Sequence, residues 1–145
     1  MKTEGSVEIA KPIAEVFTYT TEEVVEWSSI VVEDEVIEDK PGMVGTIFRT
    51  VTEERGSRME FAGVVTAHRP PNLHTVVLKG HQFDIEVEYR FEDLGGSTRV
   101  TQVSDVRPKG FLKVFFALFG WLMKKGGCDA QQNELENLKR RLEEA

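Results

Sequence analysis

Apolar and charged residues alternate strictly over residues 83–92. Phe83, Ile85, Val87, Tyr89 and Phe91 form the apolar series, and the five residues between and after them are charged. Because side chains of a strand point alternately to opposite faces, this pattern predicts a strand with one buried and one solvated face. Weaker alternation and turn residues predict the other strands. The predicted strands are residues 6–10, 31–39, 46–53, 58–68, 73–79, 83–92 and 98–106.

Two short helices are predicted between the first and second strands. Pro12 suits the first turn of a helix that carries Phe17 on its apolar face. Thr20 or Thr21, followed by two glutamates, suits the cap of a second helix that ends near Trp27.

A long helix is predicted within residues 108–145. Leu135, Leu138 and Leu142 recur at helical spacing, and counting back by sevens extends their stripe through Cys128 to Trp121. We therefore expect the helix to touch a sheet at both ends of this stripe.

The middle of that stripe is small or polar, since it holds Gly127, Cys128 and Gln131. There the helix should stand away from the sheet, opposite Gly63 and Ala67. Two adjacent glycines are unfavourable inside a helix, so a kink or break is also expected at residues 126–127.

The order of elements predicts an α+β fold. Six consecutive strands with short connections must form one curved antiparallel meander, and the terminal helix is the cover available for its apolar face. The length of 145 residues suits a single domain spanning residues 1–145.

Composition and charge narrow the function classes. Residues 1–40 hold eleven acidic residues and three lysines, and the whole chain has a net charge of −7. No basic stripe follows the strands, so nucleic acid is not an expected partner. The single cysteine excludes internal disulfides and a cysteine metal cluster. We expect a cytoplasmic protein, without a signal peptide or a bilayer-spanning segment.

Several segments, taken in order, resemble the START-like (Bet v 1-like, SRPBCC) superfamily, and most closely its bacterial polyketide cyclase/dehydrase-like group. They are residues 9–17, Trp27, 45–48, 65–71, 95–100 and 138–143. The resemblance implies a helix-grip fold: a seven-stranded antiparallel sheet wrapped around the C-terminal helix. It also implies a cavity for hydrophobic ligands, but it does not imply an activity.

The candidate ligand-binding residues are those that the alternation places on the covered face of the sheet, with neighbours from the helices. Tyr89, Gln102 and Ser104 would supply polar groups that orient a ligand in an apolar pocket. The full set is Phe17, Trp27, Phe61, Gly63, Val65, Phe83, Ile85, Val87, Tyr89, Gln102, Ser104, Cys128 and Gln131.

No catalytic residue can be assigned from the sequence. His68, His74 and His81 lack metal-ligand spacing, so neither a metal nor another cofactor is expected, and each histidine is interpreted as structural or exposed. Cys128 is interpreted as a small buried side chain. If the cavity is catalytic, conceivable acid or base groups are Arg49, Arg58, His74 and Tyr89.

Three functions remain open. The first is binding, transport or sensing of a small hydrophobic molecule such as a lipid or a polyketide-like compound. The second is a cyclase or dehydratase reaction in the same cavity. The third is contact with a membrane or a second copy through the aromatic segment 111–123, by Phe116, Phe119 and Met123. Four lysines are the only ionisable residues between residues 108 and 127, and bases around an aromatic helix are typical of an interfacial membrane segment. A lid over the cavity or a contact between two copies is nevertheless the preferred interpretation of this segment.

Overall fold

Seven antiparallel strands form one curved sheet, and three helices lie in the described part of the chain. The computed structural model describes residues 1–144, apart from the side chain of Leu122. The strands are β1 (Lys2–Ile9), β2 (Val31–Glu38), β3 (Ile47–Glu54), β4 (Ser57–Arg69), β5 (Leu73–Lys79), β6 (Phe83–Asp93) and β7 (Thr98–Pro108). The helices are α1 (Ile13–Glu22), α2 (Val24–Trp27) and α3 (Phe111–Glu143).

The sheet order is β1-β7-β6-β5-β4-β3-β2, so six consecutive strands form a meander and β1 closes the edge beside β7. This arrangement confirms the predicted helix-grip fold, including the two short helices between β1 and β2 and the long C-terminal helix.

The predicted cap at Thr20 or Thr21 is wrong, because both residues lie inside α1. The Thr20 hydroxyl donates to the carbonyl of Val16 at 2.7 Å, and the Thr21 hydroxyl donates to that of Phe17 at 2.9 Å. Threonine hydroxyls inside a helix often donate to the carbonyl one turn earlier, so a threonine need not mark the start of a helix. The second helix begins instead at Val24.

The C-terminal half of α3 completes the hydrophobic core. Leu135, Leu138 and Leu142 are buried, as the stripe predicted. They join one cluster with residues of α1, α2 and the sheet: Val7, Ile9, Val16, Phe17, Trp27, Phe91 and Val100. Because the cluster is built mainly on β1, β6 and β7, α3 is held near one edge of the sheet and not over its centre.

Polar side chains tie the same half of α3 to neighbouring backbone. Lys139 donates through Nζ to the carbonyl of Glu8 at 2.6 Å, and Arg141 donates through Nε to that of Glu26 at 3.1 Å. The Glu143 carboxylate accepts from the amide of Ala10 at 2.8 Å. These bonds anchor residues 137–143 at β1 and at α2.

The N-terminal half of α3 lies mostly in solvent. Phe111 is 80% exposed, Trp121 74% and Leu118 63%. The expectation that the stripe touches the sheet at Trp121 is therefore wrong. A straight helix drifts by about 20° per heptad, so counting back by sevens from Leu142 leaves the inward face.

The inward face of this half carries Phe116 and Met123, which are half-buried. The ring centroids of Phe116 and Phe83 are 5.8 Å apart. Phe116 and Met123 were expected to point away from the sheet. The observed helix is therefore rotated about its own axis relative to the predicted orientation. Phe119, the third residue predicted for contact with a membrane or a second copy, is exposed as expected. The outward stripe consists of Phe111, Val114, Phe115, Leu118, Phe119 and Trp121.

The predicted break at Gly126 and Gly127 is wrong, because α3 continues through both residues. A Cβ on Gly126 would meet nothing within 4 Å, and one on Gly127 would lie 3.6 Å from Met1 Cε and 3.8 Å from Thr3 Cγ2. The small middle of α3 therefore faces β1, and the expectation that it faces Gly63 is also wrong. A kink without a break stays a prediction.

Candidate ligand-binding site

A cavity of about 170 Å³ lies on the face of the sheet that the helices cover. Its walls come from α1, α2, strands β2–β6 and the β2–β3 loop, and no described residue of α3 contributes to them. This corrects the expectation of a cavity between the sheet and the C-terminal helix. The lining residues are Thr20, Thr21, Val24, Val31, Asp34, Val36, Met43, Thr46, Phe48, Thr50, Val65, His74, Val76, Leu78, Val87 and Tyr89.

The cavity exists because α3 packs at the β1 edge, so its side chains do not fill the space over the centre of the sheet. Val65, Val76 and Val87 are neighbours across β4, β5 and β6, so their side chains form one apolar row. A dry cavity of roughly 150 Å³ can hold a benzene molecule, whereas drug-sized ligands occupy roughly 300–1,000 Å³. The enclosed space suits one small ring, and a longer ligand would extend through the open side.

Of the predicted ligand-binding residues, Val65, Val87 and Tyr89 line this cavity. Phe17, Trp27 and Phe61 belong instead to the packed interior, with 5%, 2% and 2% exposure. The indole Nε1 of Trp27 donates to the carbonyl of Thr20 at 3.2 Å, which fixes the ring inside the core. Large aromatic side chains fill space as readily as they line it, and the alternation pattern does not separate the two cases.

Gly63 is on the expected face, but the ring of Phe48 occupies the space above it. Ile85 and Ser104 share the face of the cavity and lie outside its lining: Ile85 pairs with Leu78, and Ser104 pairs with Val87. Phe83, which packs against α3, lies outside the lining as well.

Gln102 and Gln131, two further residues predicted to bind ligand, make polar contacts beside the cavity. Gln131 is buried on α3 and donates through Nε2 to the carbonyl of Gln102 at 3.1 Å, and Gln102 donates through its own Nε2 to the Tyr89 hydroxyl at 2.8 Å. Cys128 is half-buried one turn before Gln131 and does not line the cavity. Tyr89 therefore joins the cavity to α3 through Gln102.

A β-bulge in β4 brings together two histidines that the sequence interpretation treated separately. Val65 pairs with Val76, but Ala67 pairs with Thr75, so one extra residue lies between the two pairs. The bulge turns Ala67 to the opposite face, which corrects its predicted orientation, and it turns His68 toward the cavity side.

His68 and His74 lie opposite each other across β4 and β5, with their Nδ1 atoms 3.0 Å apart. The Phe17 ring lies 5.4 Å from His68 and 6.4 Å from His74, measured between ring centroids. A signal for this pair exists in the sequence, because the two histidines are placed symmetrically about the Pro70-Pro71 turn and a short hairpin pairs such residues.

His74 is 7% exposed and lines the cavity. Burial, with a smaller contribution from the charge of His68, lowers the pKa of His74 to about 4. The ring is therefore neutral near pH 7, so it can donate or accept a hydrogen bond without carrying a charge into the apolar cavity.

A row of polar groups crosses the sheet from this pair. His74 is the cross-strand neighbour of Tyr89, and Tyr89 is that of Gln102. Burial raises the pKa of Tyr89, so its hydroxyl stays protonated. One wall of an otherwise apolar cavity thus presents an imidazole and a phenol side by side.

A carboxyl group lies at the opposite rim. Asp34 Oδ1 accepts a hydrogen bond from the Thr50 hydroxyl at 2.6 Å. Partial desolvation raises the pKa of Asp34, and the bond from Thr50 opposes this shift. The Asp34 carboxyl at the rim therefore binds a proton more readily than the carboxyl of an ordinary aspartate.

Arg49 and Arg58, the other conceivable catalytic groups, lie outside the cavity lining. Arg49 contacts Glu33 at 3.1 Å and Glu60 at 2.8 Å, and Arg58 also contacts Glu33. Hydrogen bonds from Arg49 lower the pKa of both carboxylates. These residues form a surface ion-pair network. In residues 1–144 there is no cluster of three or more histidine, cysteine or acidic side chains able to hold a metal ion.

A family model described as "Polyketide cyclase / dehydrase and lipid transport" matches residues 1–143. The chain belongs to this family. The match covers both the sheet that builds the cavity and the helix α3 beside it, in agreement with the resemblance seen in the sequence. No curated protein matches the sequence.

Solved structures share the fold at low sequence identity. A Thermus thermophilus protein has a TM-score of 0.80 at 17% identity, covering 97% of this chain and 96% of its own. The Zhui aromatase/cyclase of a Streptomyces species has a TM-score of 0.76 at 13% identity, with 98% and 95% covered. A START superfamily protein of Mycobacterium smegmatis has a TM-score of 0.69 at 18% identity, with 94% and 98% covered.

Proposed function

We propose that this protein, acting as a single START-like domain, binds a small hydrophobic molecule in the cavity over β3–β6. The observation that carries the proposal is the apolar row of Val65, Val76 and Val87, which lines the cavity beside neutral hydrogen-bonding groups. Apolar walls with a few polar groups are typical of ligand sites. Membership of a cyclase, dehydrase and lipid transport family supports the same function.

A cavity-filling substitution tests the proposal. We expect Val87→Phe to weaken binding of the fluorescent dye ANS about tenfold, since the new ring occupies ligand space. Glu86→Phe is the matched control, because Glu86 is exposed on the opposite face of the same strand. Circular dichroism checks that both variants fold. Equal dye binding by Val87→Phe and the wild type would contradict the cavity as the binding site.

Cyclase or dehydrase catalysis in the same cavity is the alternative. Its support is the pair of neighbouring groups on the cavity wall, the Tyr89 hydroxyl and the neutral His74 imidazole, which can hydrogen-bond to an oxygen of a polyketone. Native mass spectrometry of the purified protein separates the alternatives. A co-purified lipid of unchanged mass supports a carrier, and a polyketone that converts into its dehydrated ring product on incubation supports an enzyme.

A second candidate function is reversible contact with an anionic membrane surface through the outward stripe of α3. The stripe places Phe111, Leu118 and Trp121 in solvent. Lys113, Lys124 and Lys125 flank it and form no ion pair within residues 1–144. Exposed aromatics beside lysines suit an anionic lipid surface. A symmetric dimer through the same stripe would bring the lysines of both copies together, which disfavours it.

The acidic strand β2 lies at the opposite edge of the sheet from β1, the strand that α3 packs against. The described helices lack the combination of length and apolar character required to cross a bilayer.

Vesicle sedimentation tests the membrane contact. We expect the wild type to pellet with vesicles that contain phosphatidylserine but not with pure phosphatidylcholine, and Leu118→Ser/Trp121→Ser to remain in solution. Ile37→Ser/Val44→Ser is the matched control, because these residues are 59% and 52% exposed elsewhere. If the wild type stays in solution with both vesicles, the proposal fails. Sedimentation velocity then shows whether the stripe joins two copies instead.

A further inference from the structure

The polar wall of the cavity has two hydrogen-bonding groups that the protein itself leaves unused. His74 uses Nδ1 to contact His68, and within residues 1–144 its other nitrogen, Nε2, has no hydrogen-bond partner. The Tyr89 oxygen accepts from Gln102 at 2.8 Å, and its own proton has no acceptor in the described part of the chain. Both residues line the cavity.

The contact between the histidines determines what Nε2 of His74 can do. A neutral imidazole has one N–H, and an N–H···N bond needs a proton on only one of the two Nδ1 atoms. When Nδ1 of His74 donates to His68, its Nε2 is an acceptor. When His68 donates instead, Nε2 of His74 carries the proton and is a donor. The pair therefore offers the cavity one neutral group that can take either role.

Tyr89 offers a donor beside it. Gln102 Nε2 donates to the Tyr89 oxygen, so the hydroxyl proton is directed elsewhere. Directly opposed residues on neighbouring strands have Cβ atoms roughly 5 Å apart, which allows one ligand atom to meet both side chains. His74 and Tyr89 are such a pair. A single ligand oxygen can then accept from Tyr89 and donate to His74.

We propose that the cavity selects apolar molecules that carry a hydroxyl group, phenols above all, and that His74 and Tyr89 recognise this hydroxyl. The inference rests on the proposed function, because it names the ligand class of the same cavity. A phenol places its ring on the apolar row of Val65, Val76 and Val87. Its hydroxyl then satisfies the two unused groups on the wall. His68 acts as a positioning residue that holds the ring of His74.

Competition between two matched probes tests the inference. 2-Naphthol and 2-methylnaphthalene have similar shapes and differ in the hydroxyl. We expect 2-naphthol to displace ANS from the wild type about tenfold more effectively than 2-methylnaphthalene does. A factor of about ten corresponds to the binding free energy of one to two neutral hydrogen bonds. The preference should fall to an intermediate value in His74→Leu and in Tyr89→Phe, since each variant removes one of the two groups, and to about onefold in the double variant. His81→Leu is the control, since His81 is exposed in the β5–β6 turn, and it should keep the full preference.

The outcomes separate this inference from the proposed function. If both probes bind the wild type equally well, the cavity binds ligands but does not recognise a hydroxyl. The proposed function then stands, and only the inference about the hydroxyl is wrong. If neither probe displaces ANS, the cavity function fails together with it. If His74→Leu weakens both probes by the same factor, His74 has only a structural role. The wild-type comparison and the near-isosteric Tyr89→Phe decide the matter if His74→Leu does not fold.

Discussion

The ring of Phe48 lies directly over Gly63 across the β3–β4 pair. A Cβ added to Gly63 would be 2.3 Å from Cζ of Phe48, closer than two carbon atoms can approach. Phe48 lines the cavity, so the missing side chain of Gly63 sets how deeply the ring sits on the sheet. The floor of the cavity therefore depends on a glycine that does not itself line it.

Gly63→Ala should lower the free energy of unfolding by about 1–3 kcal/mol, because the ring must leave its position. The displaced ring moves toward the cavity, so ANS binding should weaken as well. Urea denaturation and dye titration measure the two effects. Phe48→Leu combined with Gly63→Ala should recover part of the stability. Additive losses in the double variant would show that the two residues do not compete for the same space.

The glycines of α3 should respond in the opposite direction. Gly126→Ala/Gly127→Ala should raise the free energy of unfolding by about 1–2 kcal/mol, since alanine favours a helix and neither Cβ meets a close contact. Thermal unfolding followed by circular dichroism measures this. A loss of stability would mean that the helix needs the freedom of glycine here. Slower dissociation of ANS from the variant would add that α3 bends at this point during ligand exchange.

The fold was predictable because its signals are local and repeated. The strict alternation in 83–92 predicted β6 to within one residue at its C-terminal end, and short connections allowed no topology other than a meander. The buried leucines of α3 were predicted for the same reason, since Leu135, Leu138 and Leu142 are close enough in sequence for the helical period to stay in phase.

The site was less predictable because it depends on departures from those periods. One extra residue in β4 reverses the faces of Ala67 and His68, and a period of two cannot reveal where such an insertion lies. The rotation of α3 accumulates over three heptads and takes Trp121 out of the core. The position of α3 at the β1 edge results from packing among distant residues, which no local pattern encodes.

Hydrogen exchange should divide α3 into two parts. We expect amides of residues 111–125 to exchange at least about tenfold faster than those of 129–143, because the first part has few buried contacts. The second part is held by Leu135 and Leu138 and by bonds such as that from Lys139 to Glu8. Mass spectrometry of peptides from the two parts makes the comparison. Equal protection would show that the outward stripe is covered in solution, as in a dimer.

Acid should destabilise the protein through His74. The folded pKa is lowered to about 4 from an ordinary value of 6.5, so between these values the unfolded chain binds a proton that the folded chain does not. Unfolding therefore becomes more favourable as the pH falls from 6.5 to 4, by up to about 3 kcal/mol, and is unaffected by this group above that window. Urea denaturation at several pH values measures how the free energy of unfolding depends on pH.

Other groups also titrate, so the quantity to follow is the difference in the free energy of unfolding between the wild type and His74→Leu. That difference should shrink as the pH falls, because the variant lacks the titrating ring, while His81→Leu should follow the wild type. A difference that stays constant from pH 7 to pH 4 would show that His74 takes up its proton in the folded protein as readily as in the unfolded chain, so the cavity wall would not keep this imidazole neutral below pH 6.5.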